Sequence, residues 1–209
     1  MKNPIVSFGH FCLQFQAVYD FYQTMVGGVR YRSRIVGELG QLNKPSFLDL
    51  GCGTATIARE LNSEVKYIGI DNSENYLTKA KHDFPQHKFL NKNLSEKHWE
   101  QELLHLGPVV ASGLGLLHHL DDKSAETFLG SCREILDKDS LLFTVDPVIV
   151  NDTNKIARWF ANNDRGKFIR SPEQMQRIFR DSGFKADIKI KKLQFRIPLD
   201  TVEVTASLI

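Results

Sequence analysis

Apolar residues follow two rhythms along the chain, and the change comes at Pro45. Before it the rhythm is helical. Phe11, Phe15, Val18 and Tyr22 share one face, Gly27-Gly28 interrupts the run, and Tyr31, Ile35 and Leu39 begin a second stripe that Gly40 is placed to end. Arg30 and Arg34 share another face of this second helix. After Pro45, short and nearly continuous apolar runs alternate with helical stretches. The runs predict strands over 47–50, 65–70, 88–90, 109–111 and 141–145. The clearest helical stripe between them is Ala125, Phe128, Leu129, Cys132, Ile135 and Leu136. Strands buried on both faces and separated by helices imply a parallel sheet built from βαβ units. Right-handed crossovers then give a doubly wound α/β architecture.

The last third adds a helix over 151–160 with Ile156, Trp159 and Phe160 apolar. A polar loop follows over 162–170, carrying Asp164, Arg165 and Lys167. The next helix start is written in full: Ser171 as N-cap, Pro172 at the first helical position and Gln174 closing a capping box. Met175, Ile178 and Phe179 form its inner face, and Gly183 ends it. From Phe184 the chain alternates, Ala186, Ile188 and Ile190 against Asp187, Lys189 and Lys191, which predicts a strand wet on one face. Residues 196–208 are its expected hairpin partner. The pattern contains no internal repeat, so one domain is expected over 1–209, with 1–43 helical and 44–209 as the sheet-bearing core.

Composition narrows the function classes. The chain has 209 residues, 42% hydrophobic and 25% charged, ordinary for a globular domain with a real core. Lys and Arg total 27 against 25 Asp and Glu, a net charge of +2. That is too weak to point to nucleic acid or to a polybasic membrane anchor. Cys12, Cys52 and Cys132 form no CxxC pair, and the seven histidines form no HExxH or finger spacing. Neither a metal site nor a disulfide scaffold is expected, and a reduced cytoplasmic chain fits best. Ser7, Gly9, His10, Gln14 and Gln16 break any signal-peptide core. The longest apolar run, 141–150, is interrupted by Asp146 and Pro147, so no membrane span is expected.

The sharpest chemical feature is Asp49-Leu50-Gly51-Cys52-Gly53-Thr54-Ala55, where the first strand hands over to a helix. Glycines there let the backbone turn tightly and approach a ligand, and a helix N-terminus behind them presents free N–H groups. A second acid, Asp71, ends the second strand, where it can take both hydroxyls of a ribose. Dinucleotide folds place a third glycine where Thr56 stands here, and a carboxylate at Asp49 would repel a pyrophosphate. The same carboxylate suits a cation. The expected ligand therefore carries an ammonium or sulfonium together with a ribose, as S-adenosylmethionine does, and a nicotinamide oxidoreductase is disfavoured.

On these residues the chain resembles the class I S-adenosylmethionine-dependent methyltransferases, from about residue 46 to 183. FLDLGCGTA is similar to the family's first motif, with Gly51, Cys52 and Gly53 against the cofactor. YIGIDNSENYLTKAK is similar to the second, with Asp71 on the ribose and Asn72 beside the adenine. FLNKNL is similar to the third, with Asn93 in place of the usual Asp and Leu94 next to it. VVASGLGLLHHLDD is similar to the fourth, with Ser112 and Gly113 flanking the methionine part. Ala55 replaces the family's third glycine. The resemblance implies a Rossmann-like, seven-stranded, mostly parallel sheet with an antiparallel last strand. It also implies an N-terminal helical lid, with Tyr19 and Arg30 meeting the cofactor.

Methyl transfer from a sulfonium is an in-line displacement with an excellent leaving group, so catalysis can come from proximity and exclusion of water. A base is needed only for a protonated acceptor. His118 and His119 are the base candidates, and Asp146 is a candidate for binding a substrate amine or hydroxyl. Arg158, Arg165, Lys167 and Arg170 form either an anion clamp or an ordinary charged surface loop; the second reading is preferred. The expected function is methylation of a small-molecule acceptor. Methylation of tRNA or protein, and a cofactor-binding protein without turnover, stand as alternatives; nucleic-acid and membrane partners are not expected.

Overall fold

The computed structural model describes residues 28–40, 44–162, 166–192 and 199–209. Seven strands form one sheet: β1 (Ser46–Leu50), β2 (Lys66–Asp71), β3 (Lys88–Asn91), β4 (Val109–Leu114), β5 (Leu141–Pro147), β6 (Phe184–Lys191) and β7 (Thr201–Leu208). Their order is β3-β2-β1-β4-β5-β7-β6. The first five pair in parallel, and β7 runs antiparallel between β5 and β6. The doubly wound sheet with an antiparallel last strand is the expected one. Each of the five expected parallel strands is present, and β4 and β5 run further at their C-terminal ends than their apolar stretches predict.

Strands β1, β4 and β5 are buried along almost their whole length, as a sheet covered on both faces requires. One face, with Leu48, Ile68, Ala111 and Leu142, packs under α3 (Asp122–Ile135) and α5 (Pro172–Asp181) through Phe128, Leu129, Met175 and Phe179. The other face, with Phe47, Tyr67, Val110 and Phe143, packs under α1 (Gly28–Gly40) and α2 (Glu74–Asp83) through Tyr31, Ile35, Leu39 and Leu77. The α1 stripe read from sequence is the buried one. The α5 capping box is present in both directions, Ser171 accepting from Gln174 N and Gln174 Oε1 accepting from Ser171 N. Strand β6 is wet along one face and lies at the sheet edge; lysines there discourage pairing with another chain.

Two expectations are corrected. The segment after the glycine bend is a five-residue 3₁₀ turn, Thr56–Glu60, rather than an α-helix. Its N-cap, Ala55, makes no side-chain cap bond, so there is no full helix terminus to serve as an anion site. The helix expected over 151–160 is α4, Lys155–Asn162, begun by Asn154, whose Oδ1 accepts from Ala157 N at 2.7 Å. Its small residues Ala157 and Ala161 are buried, whereas Ile156 is 60% and Trp159 52% exposed. The stripe at 11–22, Tyr19 and Cys12 lie outside the described residues, and no helix among the described residues is long and apolar enough to cross a membrane.

Candidate active site

The bend between β1 and its 3₁₀ turn is clipped to the tip of β2. Gly51 and Gly53 sit at φ 78° and 54°, a region that glycine enters without a Cβ penalty. The amides of Gly51 and Cys52 both donate to Ile70 O, at 2.8 and 2.9 Å. Gly53 N donates to Asp71 Oδ2 at 2.9 Å, and Ser73 N to Asp71 Oδ1 at 2.8 Å. Asp71 thus holds the bend and the start of α2 with one bond on each oxygen, and each oxygen retains a lone pair for a ligand. Ala55 is also left-handed, at φ 56°. That is a region glycine enters more readily, and the fully buried methyl of Ala55 offsets the conformational cost.

Asp49 lies beneath this bend, buried. Its Oδ2 accepts from Tyr67 Oη at 2.7 Å and its Oδ1 from Ser112 Oγ at 3.3 Å. The sheet register sets this up, since Asp49 pairs across Gly69 on one side and Ser112 on the other. Gly69 has to be glycine: a Cβ there would stand 2.9 Å from both Cys52 Sγ and the Phe89 ring. Burial, and then the charges of Asp49 and Asp71, push the Cys52 thiol far up. The Tyr67 hydroxyl is pushed up by burial and by Asp49. The sequence reading passed over Tyr67 and Gly69, although period-two alternation in YIGID puts them on one face with Asp71.

The adenine-side candidates are placed less directly. Asn72 is exposed just beyond Asp71. The Asn93 side chain closes a local turn, its Oδ1 accepting from Ser95 N and Oγ at 3.1 and 2.7 Å and its Nδ2 donating to Glu96 Oε1 at 2.7 Å. Leu94 belongs to the core. Arg30 is carried by α1, its side chain outside the described ones.

On the other side of β4, Gly115 turns the chain at φ 71°, its amide donating to Val145 O at 2.7 Å. The 3₁₀ turn Leu117–His119 follows. His118 is 5% exposed and Asp146 1%. Asp146 Oδ1 accepts from His118 N at 3.0 Å and lies 2.8 Å from His118 Nδ1. An oxygen that already accepts the amide is an acceptor, so Nδ1 carries a ring hydrogen and donates it to Asp146. The expectation that Asp146 reaches a substrate from an open rim is therefore corrected. It is sealed beneath His118 and bonded to that residue's amide and imidazole. Asp146 Oδ2 is buried without a partner among the described residues. His119 is exposed, its ring centroid 4.1 Å from that of His118.

Arg170 is corrected as well, being neither an anion clamp nor a surface residue. It is 5% exposed, and its guanidinium donates to Leu117 O and Leu120 O, both at 2.8 Å, and to Asp122 Oδ1 at 3.1 and 2.8 Å. Arg158 is exposed and donates to Val150 O, Lys167 is exposed, and Arg165 lies outside the described residues.

Residues 47–139 match the family described as "Methyltransferase domain". No curated protein matches the sequence. The fold is shared with a SAM dependent methyltransferase from Archaeoglobus fulgidus, at TM-score 0.70 and 16% identity over 90% of this chain and 99% of that one. It is shared with the pyocyanin biosynthetic protein PhzM at TM-score 0.70 and 13% identity, over 97% of this chain and 61% of that one. The methyltransferase domain of bacterial CtHen1-C matches at TM-score 0.65 and 16% identity, over 87% of this chain and 98% of that one.

Proposed function

We propose that this chain is a class I S-adenosylmethionine-dependent methyltransferase that methylates a small-molecule acceptor, a reading supported by the methyltransferase-domain match over residues 47–139 and by the shared fold. The supporting observation is the pair of carboxylates at the tips of β1 and β2, one on each side of the glycine bend. Burial first, and then these two carboxylates, raise the Cys52 thiol, and the negative charge of the pair favours an ammonium or sulfonium beside the bend. Asp71 keeps lone pairs for ribose hydroxyls. Gly51, Cys52 and Gly53 let the backbone approach. Asp49, Ser112 and Gly113 flank the methionine part and Asn72, Asn93 and Leu94 the adenine side, while Tyr19 and Arg30 are assigned to the donor on the family resemblance alone. When bound, S-adenosylmethionine supplies a methyl group on a sulfonium and a neutral thioether as leaving group.

The chain's own task is to hold the acceptor in line and to exclude water. His118 Nε2 takes the proton of a hydroxyl or amine acceptor, with Asp146 fixing the tautomer and stabilising the imidazolium. His119 is the exposed contact beside it. A small acceptor suits a base 5% exposed, deeper than a folded macromolecule reaches. The net charge of +2 offers no electrostatic track for RNA. Two fold relatives are titled for pyocyanin and echinomycin biosynthesis. The free thiols of Cys52 and Cys132 suit a reducing compartment, the cytoplasm.

Calorimetry tests the donor. S-adenosylmethionine and its demethylated product are expected to bind and NAD is not; binding of NAD alone overturns the reading. Asp71→Ala is expected to weaken donor binding by about 1–3 kcal/mol, the usual loss when a partly buried hydrogen-bonding partner disappears. Unchanged affinity in the folded variant removes the ribose role. Label transferred from a methyl-tritiated donor is expected in small molecules of a cell extract, and its recovery in tRNA or protein overturns the small-molecule assignment.

A further inference from the structure

The segment 166–170 crosses directly over the His118–Asp146 pair, and three observations make it more than a passing loop. Gly166 is buried against the imidazole: a Cβ built on it would land on His118 Cδ2, with Cγ and Nε2 2.7 and 2.8 Å away. Phe168 N donates to His118 O at 3.0 Å, so the strap is bonded to the backbone of the residue it covers. Arg170 then fastens the end of the strap. Its buried guanidinium donates to Leu117 O and Leu120 O, the carbonyls on either side of the two histidines, and to Asp122 at the start of α3.

A buried guanidinium is stable only when its donors are satisfied. Here the satisfying groups are the backbone carbonyls of the turn that carries His118. A planar fork reaches several acceptors at once, which a lysine ammonium on a flexible stem cannot reproduce in the same geometry. The imidazole is thus held from two directions, by Asp146 at Nδ1 from β5 and by Gly166 against its ring from the strap.

We propose that residues 166–170 are a positioning strap for the His118–Asp146 pair, with Gly166 as its contact and Arg170 as its anchor. The inference rests on the reading of His118 as the acceptor-side base. The contacts of Gly166 and Arg170 described above fall on the turn that carries His118 and on Asp122, so their loss is expected to disturb the histidine while sparing the donor.

The test requires no acceptor. In protein labelled with nitrogen-15 histidine, the ring of His118 is expected as a single Nδ1–H tautomer, the form that is minor in free histidine. Exposed His119 is the internal reference. Arg170→Met and Gly166→Ala are each expected to abolish that locked signature while changing S-adenosylmethionine affinity by less than about twofold, as for sites without shared partners. Arg170→Lys is expected to lose it too, since charge without the fork does not restore the anchor. A locked signature retained in the folded Arg170→Met and Gly166→Ala proteins overturns the proposal. Should either variant fail to fold, the unaltered protein decides. The Phe168 amide is expected to exchange with solvent as slowly as the amides of β4, and exchange at the rate of an open loop overturns the strap. Loss of donor binding in the unaltered protein, by contrast, overturns the methyltransferase reading and leaves the histidine signature as it is.

Discussion

At the scale of single residues the bend is governed by close approach. Gly69 faces Cys52 Sγ and Phe89 at a distance that admits no side chain, and it lies directly across from Asp49. Gly69→Ala therefore overpacks β2 and pushes the bend. We expect it to destabilise the fold by about 1–3 kcal/mol, the usual range for inserting a methyl into a packed core. The urea midpoint measures this, and an unchanged midpoint contradicts the packing argument. The small Cys52 belongs to the same contact. With its thiol pushed up by burial and by two carboxylates, it is packing material rather than a nucleophile. The pairing of Asp49 with Tyr67 was not legible in the sequence, because a strand shows which residues share a face and not which hydroxyl bends toward which acid.

At the scale of elements, capping decides how the pieces supporting the site begin. Ser171 both accepts from Gln174 N and is embraced by the Gln174 side chain, and it directly follows the strap anchor Arg170. Ser171→Ala should cost about 1 kcal/mol, as N-cap losses generally do, and lower the melting temperature by about 2–4 °C for a domain of this size. An unaltered melting temperature would mean that the cap does not contribute. Helix α3 starts differently, with Asp121 accepting from Ser124 N at 2.8 Å. That backbone bond, followed by the lesser pull of Arg170 and Lys123, holds the Asp121 carboxyl below its ordinary range. A carboxylate lowered in the fold binds its proton more readily when unfolded. Its stabilisation is therefore present above about pH 4, the ordinary aspartate value, and is lost as the pH falls through the lowered one. Asp121→Asn retains a cap without a titrating group. The stability gap between the two proteins should narrow between pH 6 and pH 3, and a constant gap counts against the assignment. The Ser171 cap was legible in the sequence, since an N-cap is a contact over three residues, and the Asp121 cap follows the same local rule. The exposed outer face of α4 was not legible, because an apolar stripe does not state what will cover it.

At the scale of the molecule, α1 is tied to the far side of the sheet. Tyr31 Oη donates to Glu203 Oε1 at 2.8 Å across 172 positions of sequence, and Arg34 meets the same buried carboxylate while lying over the Tyr31 ring. Burial first, and then Glu203, push the Tyr31 hydroxyl far up, so it stays a donor. Tyr31→Phe leaves Glu203 with one donor fewer and should cost about 1–3 kcal/mol, the penalty of an under-satisfied buried polar group. The urea midpoint reads this directly, and a neutral result would mean that Arg34 and Lys191 satisfy the acid without it. What the sequence determined by itself was whatever depends on neighbours along the chain: alternation and helical stripes, glycines at a bend, caps, and an acid at the end of each of the first two strands. Those signals were enough for the doubly wound sheet and its five parallel strands. Only the tertiary structure decided that Asp146 is sealed under His118, that Arg170 is an internal anchor and that Tyr31 reaches Glu203. These partners lie 28, 53 and 172 residues apart along the chain. Right-handed crossovers bring them together, and a buried polar group then pairs with whatever the packing places beside it.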